Sequence, residues 1–204
     1  MNPTRLKPLI WIAGLAPLAW LVWQGFRDNL TADPVKYLTH FTGRVTLIIL
    51  FVTLTVTPIR RLSGWNGIIR LRRLIGLFSF FYAVIHLMIY LTFDRGFVFT
   101  ELGEDILKRP YITVGFTAWL MLLTLAVTSP QAMVRRLGRR WQTLHRIIYV
   151  IPALGLVHFL WAQKKDPAPV IPYAMAAGAI LLIRLALAQR ARARNRARES
   201  LVAS

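Results

Sequence analysis

Apolar residues gather into six runs along the chain, at 9–25, 45–59, 74–93, 111–128, 144–162 and 170–187, with short polar stretches between them. Most approach the ~17–25 residues that a helix needs to cross a bilayer; the second is short and borrows from 41–44. The first run follows Arg5 and Lys7, as a signal peptide's would, but it ends in the bulky "WLVWQGF" without a small-x-small cleavage site, so it reads as a retained span. The pattern predicts an all-α integral membrane protein with six transmembrane helices. It forms one domain, 1–189, followed by a basic tail, 190–204. No fixed-period repeat is visible. The loops 26–43, 94–110 and 163–169 are too short to hold a soluble domain.

Composition agrees. Of 204 residues, 56% are hydrophobic and the mean hydropathy is +0.50, which excludes an ordinary soluble domain. There is no cysteine, which excludes disulfides, thiolate metal sites and cysteine-held iron–sulfur clusters. The net charge of +18 would fit a nucleic-acid binder if it were spread over one face. It is instead sorted by side. With six spans, the side holding both termini receives 18 of the 26 basic residues against the single acid Glu199, and the other side receives 8 basic residues and 7 acids. This is the positive-inside pattern, so both termini are expected in the cytoplasm. Topology absorbs the charge, contact with anionic lipid headgroups follows from it, and no nucleic acid is implied.

Four histidines carry the candidate chemistry: His40, His86, His145 and His158. A helix rises about 1.5 Å per residue, which puts His86 about 18 Å along the third span and His158 about 21 Å along the fifth, both entered from the cytoplasm. Matched depth on two helices is what a bis-imidazole haem requires, because its axial nitrogens approach one iron from opposite faces. A lone intramembrane histidine serves more often as a helix–helix hydrogen bond or a proton relay. A relay would also recruit intramembrane Asp or Glu, and the runs contain none. His145 lies 13 residues before His158, and the matching level on the third span holds Arg72 and Arg73. It could ligate a haem with another partner, contact a quinone or flavin, or cap its helix. His40, at the outer mouth of the second span, is a surface hydrogen-bonding residue, a quinone contact or an alternative ligand. The arginines of "IIRLRRLIGL" (68–77) and "RRLGRRWQTLHR" (135–146) orient the helices and suit bidentate contact with a phosphate.

The segments "LAPLAWLVW" (15–23), "ADPVKYLTHFTGR" (32–44), "RRLIGL" (72–77), "KRPYITVGF" (108–116), "LAVTSPQAM" (125–133), "RRLGRRWQTLHRIIY" (135–149) and "HFLWA" (158–162) occur in this order. In them the chain resembles the MsrQ (YedZ) family, the haem-binding membrane subunits of bacterial methionine sulfoxide reductase systems within the ferric-reductase-like transmembrane group. The resemblance implies an inner-membrane electron-transfer subunit with haem b, and with FMN as a further cofactor. It would take electrons from quinol and pass them to a periplasmic molybdopterin-containing reductase that repairs oxidised proteins. The family's haem ligands correspond to His86 and His158, with His145 as a further cofactor contact. The paired inner histidines of the group's larger oxidases and ferric reductases are incomplete here. The resemblance does not extend to their soluble flavin–NADPH domain, so direct use of NADPH is not expected. The alternatives are a stand-alone ferric or quinone reductase and a proton-coupled transporter. The outer loop 93–110, with Phe97, Phe99, Glu101, Glu104 and Asp105, is the expected docking patch for the partner.

Overall fold

A computed structural model of the chain describes residues 3–94, 96, 99–163 and 166–203. The regular elements among them are helical: α1 (Lys7–Phe26), α2 (Pro34–Ser63), α3 (Arg72–Ile89), α4 (Phe99–Lys108), α5 (Pro110–Val127), α6 (Gln131–Leu137), α7 (Arg139–Leu144), α8 (Ile151–Ala162) and α9 (Ile171–Ala203). Six helical segments are long and apolar enough to cross a membrane: Lys7–Phe26, Pro34–Ser63, Asn66–Phe93, Pro110–Val127, Arg139–Ala162 and Ala168–Arg196. The chain is therefore an all-α, six-span membrane protein.

The second span is the one whose extent the apolar pattern misjudges. Asp33 caps α2 by accepting from the Lys36 N–H at 3.1 Å, and Pro34 occupies its first turn. The helix thus begins eleven residues before the apolar run and carries His40 on its second turn. It ends at Gly64, whose φ of 71° is the left-handed conformation that glycine adopts without a Cβ penalty. α9 runs without a break through the 189/190 position, so the arginine-rich tail continues the sixth helix.

Helices α2, α3, α5 and α8 form the centre. Leu50 and Leu54 of α2, Ala83 of α3, Ala118, Leu122 and Leu125 of α5, Ile151 of α8 and the neighbouring Ile148 make one buried cluster. α1 and α9 lie outside it and turn large apolar side chains outward, among them Trp20, Trp23, Leu181 and Leu182, a surface suited to lipid.

Each peripheral helix is tied to the centre through a backbone group that a proline or a side chain disturbs. Pro58 has no N–H to give to the Leu54 carbonyl one turn earlier, and Arg184 of α9 donates its Nη1–H there instead, at 2.8 Å. In α1, next to Pro17, the Tyr82 hydroxyl of α3 enters the helical ladder. It accepts from Leu18 N–H at 3.0 Å and donates to Gly14 O at 2.7 Å. Gly14 permits this approach: a Cβ there would meet the Phe78 ring at 2.6 Å. Both groups lack water in hydrocarbon, so Tyr82→Phe should cost about 1 kcal/mol or more of stability. A denaturant titration in detergent should show earlier unfolding; an unchanged midpoint would mean that α1 closes its own ladder.

The outer loop is partly helical, and one of the acids expected in its docking patch is engaged within it. α3 leaves its α-helical form through a π-helical turn at Tyr90–Asp94, and α4 is an extra short helix. Asp105 is 7% exposed, accepts from the Tyr90 hydroxyl and pairs with Arg109 Nε at 3.1 Å. It fastens α4 to the end of α3 and is not a free docking acid. Glu104 is exposed and paired with Lys108 at 2.7 Å. Phe97, with the side chains of Phe99 and Glu101, lies outside the described residues.

Candidate functional site

α3 and α8 bring together His86 and His158, as the depth estimate anticipates. Their ring centroids are 6.1 Å apart, with planes at 88°. Each ring is held by a different neighbouring helix. His86 Nδ1 lies 3.0 Å from the Thr39 carbonyl of α2, with the Thr42 hydroxyl at 3.3 Å. His158 Nδ1 lies 2.7 Å from the Tyr111 carbonyl of α5. A carbonyl only accepts, so both Nδ1 atoms donate their hydrogens, and in both neutral rings the lone pair is left on Nε2. This is the tautomer of an Nε2 metal ligand whose other nitrogen is fixed by a hydrogen bond.

A glycine makes each approach possible. Residue i+4 of a helix stands beside the carbonyl of residue i, and here it is Gly43 after Thr39 and Gly115 after Tyr111. A Cβ at Gly43 would lie 3.2 Å from His86 Cε1, and one at Gly115 would lie 2.5 Å from His158 Nδ1. The rings fill the space that side chains would otherwise take.

The two arrangements are copies. Thr39 and Tyr111, Gly43 and Gly115, and His86 and His158 are each 72 positions apart. The same shift relates Pro58 to Pro130, and Leu50 to Leu122, both in the buried cluster. α2–α3 and α5–α8 are thus two halves of a repeat, each giving one carbonyl, one glycine and one imidazole. No repeat is visible in the sequence because few positions besides these coincide.

His145 stands apart from the pair. It terminates α7, stacks on Trp141 with centroids 4.0 Å apart, and places Nε2 3.0 Å from the Thr128 hydroxyl. That hydroxyl gives its hydrogen to Thr124 O at 2.6 Å, so it accepts from His145 Nε2–H, and the free lone pair of the neutral ring is on Nδ1. The 72-residue shift maps His145 onto Arg73, so the repeat breaks at the inner end. Arg72 lies close enough to His145 to act on it electrostatically. His40 sits on α2 one turn before Arg44, whose Nε–H donates to its carbonyl at 3.2 Å.

Among the described residues no group of three or more His, Asp or Glu could hold a metal ion. Two imidazoles suit a metal whose remaining positions come from a macrocycle. With metal–imidazole bonds of about 2 Å, ring centroids fall about 6 Å apart, as His86 and His158 do. The donor set and its fixed tautomers fit haem. Sequence reasoning found the two imidazoles but missed Thr39, Gly43, Tyr111 and Gly115. Their one signal is the shared glycine-to-histidine spacing.

The chain matches the family model described as ferric reductase like transmembrane component over residues 42–156, which takes in His86 and His145. It is 46% identical over 197 residues to the protein-methionine-sulfoxide reductase heme-binding subunit MsrQ of Herminiimonas arsenicoxydans, covering 95% of this chain and 90% of that one. To the protein of the same name from Xanthomonas euvesicatoria pv. vesicatoria it is 52% identical over 167 residues, covering 78% and 76%. To that of Ralstonia nicotianae it is 47% identical over 196 residues, covering 91% and 90%. With relatives this similar over most of their length and a model match over more than half of its own, the chain belongs to the MsrQ family of ferric-reductase-like membrane proteins.

Proposed function

We propose that this chain is the haem-carrying electron-transfer subunit of a bacterial protein-methionine-sulfoxide reductase system. In this reading it holds one haem b between His86 and His158 and relays electrons from quinol to a periplasmic molybdopterin-containing reductase. The observation that carries it is the pair of imidazoles with both Nδ1 hydrogens committed to backbone carbonyls. The relatives' shared name supports the haem and the reductase system.

Held there by His86 and His158, haem b would supply a one-electron carrier. The chain's part is to keep both Nε2 lone pairs free, hold the rings against Gly43 and Gly115, and exclude water with apolar helix faces. Thr39 stands in the second turn of α2 and Tyr111 in the first of α5, so the pair sits toward the end of the bundle that the positive-inside rule assigns to the periplasm. Both termini are then cytoplasmic, and electrons leave on the side where the reductase would dock.

FMN, and the electron entry, belong in this reading to the opposite end. There Arg61 and Arg72 each come within electrostatic reach of Arg184, and Arg72 of His145. Guanidinium groups suit a flavin phosphate, and His145 offers Nδ1 as a cofactor contact. His145→Ala should keep the haem spectrum and content while slowing reduction by quinol severalfold.

The test is a reconstitution. Proteoliposomes with this chain receive quinol, and haem reduction is followed by absorbance. The molybdopterin reductase and a methionine-sulfoxide protein are then added. Rapid reoxidation with loss of sulfoxide is expected. Haem that quinol does not reduce, or that the reductase does not reoxidise, would contradict the relay.

A further inference from the structure

Two contacts fix the face that α2 turns to the site. A Cβ at Gly43 would lie 3.9 Å from Nε2 of His86, the nitrogen left free for a metal, and the Leu47 methyl stands 3.3 Å from where a Cβ of Gly155 on α8 would be. His40 precedes Gly43 by three residues and Leu47 by seven, spacings that put all three on one stripe of a helix. It therefore looks toward the gap between α3 and α8, about 4.5 Å further out along α2 than Gly43. There it is half-buried and close enough to His86 to act on it electrostatically.

His86, His145 and His158 each have a ring nitrogen engaged, by Thr39, Thr128 and Tyr111 respectively. The His40 ring makes no hydrogen bond among the described residues. Arg44 joins it. Its Nε–H donates to the His40 carbonyl at 3.2 Å, which draws the side chain outward along the helix, and its Nη groups make no hydrogen bond or ion pair among the described residues. Lys36 stands one turn further out, and the acid near His40 is Asp33, which caps α2.

The repeat shows that these donors are specific to one half. Shifted by 72 residues, His40 becomes Ile112, which is 8% exposed, and Arg44 becomes Phe116, which stacks on Trp119. The first half thus presents two N–H-bearing side chains where the second presents hydrocarbon. The two ligand imidazoles exchange places when the halves are exchanged, so ligation alone does not choose where the polar edge of a macrocycle goes. A haem is apolar except for two carboxylates on that edge, and N–H···carboxylate bonds are charge-assisted.

Resting on the two-histidine reading above, we propose that His40 and Arg44 donate to the haem carboxylates and so turn the haem's polar edge outward, beside α2. They are cofactor-binding residues that break the symmetry of the site, and neither ligates the iron.

The test is a cycle of two haems and two variants. The apoprotein is titrated with protohaem and with its dimethyl ester, which keeps the iron and the macrocycle and removes the carboxylate charge. Wild type should bind the ester about tenfold more weakly, as expected for losing hydrogen bonds to charged groups. His40→Ile, which copies the other half, and Arg44→Met should each bring the two haems within about threefold of each other while keeping a low-spin spectrum. Arg27→Gln, which removes a charge at the end of α1, should behave as wild type. Equal affinity of wild type for the two haems would overturn the proposal, as would a wild-type preference kept in either variant. So would loss of the low-spin spectrum in His40→Ile, because His40 would then be an axial ligand. His86→Ala and His158→Ala in the same series keep the two readings separable. Full haem retention in either would overturn the site itself, whereas haem loss there with an unaltered preference in His40→Ile removes only the role of His40.

Discussion

His86→Ala and His158→Ala each leave the purified protein with roughly a tenth of the wild-type haem or less, and what remains is no longer low-spin. Weakening a group that merely supports a metal ligand costs 10–100-fold in affinity, and loss of the ligand itself costs more. The two variants should resemble each other, because the halves that supply the ligands are built alike: carbonyl, glycine, imidazole. His145→Ala should not join them, since its Nε2 is engaged by Thr128 and its ring is stacked on Trp141. Haem quantification with a reduced-minus-oxidised spectrum on the three variants checks this. If His86→Ala keeps its haem while His145→Ala loses it, the iron sits at the inner end.

The second large effect comes from a residue that touches no cofactor. In Gly115→Ala the new Cβ would stand 2.5 Å from His158 Nδ1, nearer than any Cβ contact survives, with the ring's Cε1 at 2.7 Å. The imidazole has to swing away from the Tyr111 carbonyl, which breaks the bond that fixes its tautomer. Haem affinity should fall about 10–100-fold, the usual cost of losing such a partner. Gly43→Ala should be milder, since its Cβ would be 3.2 Å from His86 Cε1 and a small shift relieves it. Gly103→Ala, in the exposed α4, meets nothing within 4 Å and should leave haem binding unchanged. Equilibrium haem titration of the three apoproteins measures the order. Equal affinities for Gly115→Ala and Gly103→Ala would mean that His158 needs no cradle.

The six spans were legible because each buries an apolar length close to the bilayer's own. The start of α2 was not. Residues 34–44 carry Lys36, His40 and Arg44, and a polar surface hides a helix whose evidence is a cap and a proline. Helix α4 was hidden for a similar reason: its acids suggested a solvated loop, and the use of Asp105 by Tyr90 and Arg109 depends on where α3 ends. For the site, helical rise alone could match His86 with His158 in depth, since depth is a one-dimensional quantity. Which carbonyl holds each ring, and which glycine admits it, depends on neighbouring helices that hydropathy does not order. The 72-residue relation became readable only once Thr39 and Tyr111 were seen doing the same work, because backbone carbonyls leave no mark on side-chain identity. Tyr82 reads as one more aromatic on an apolar face; only its place beside Gly14 and Leu18 shows what its hydroxyl does.

The central claim is that one iron is shared by two imidazoles from the two halves of the repeat. Near-infrared magnetic circular dichroism of the oxidised wild-type protein, with haem counted per chain, reads axial-ligand identity directly. One haem per chain with a bis-histidine charge-transfer band, lost on replacing either His86 or His158, is the predicted result. A high-spin haem, or a low-spin band of histidine paired with another ligand that survives in His158→Ala, would contradict it.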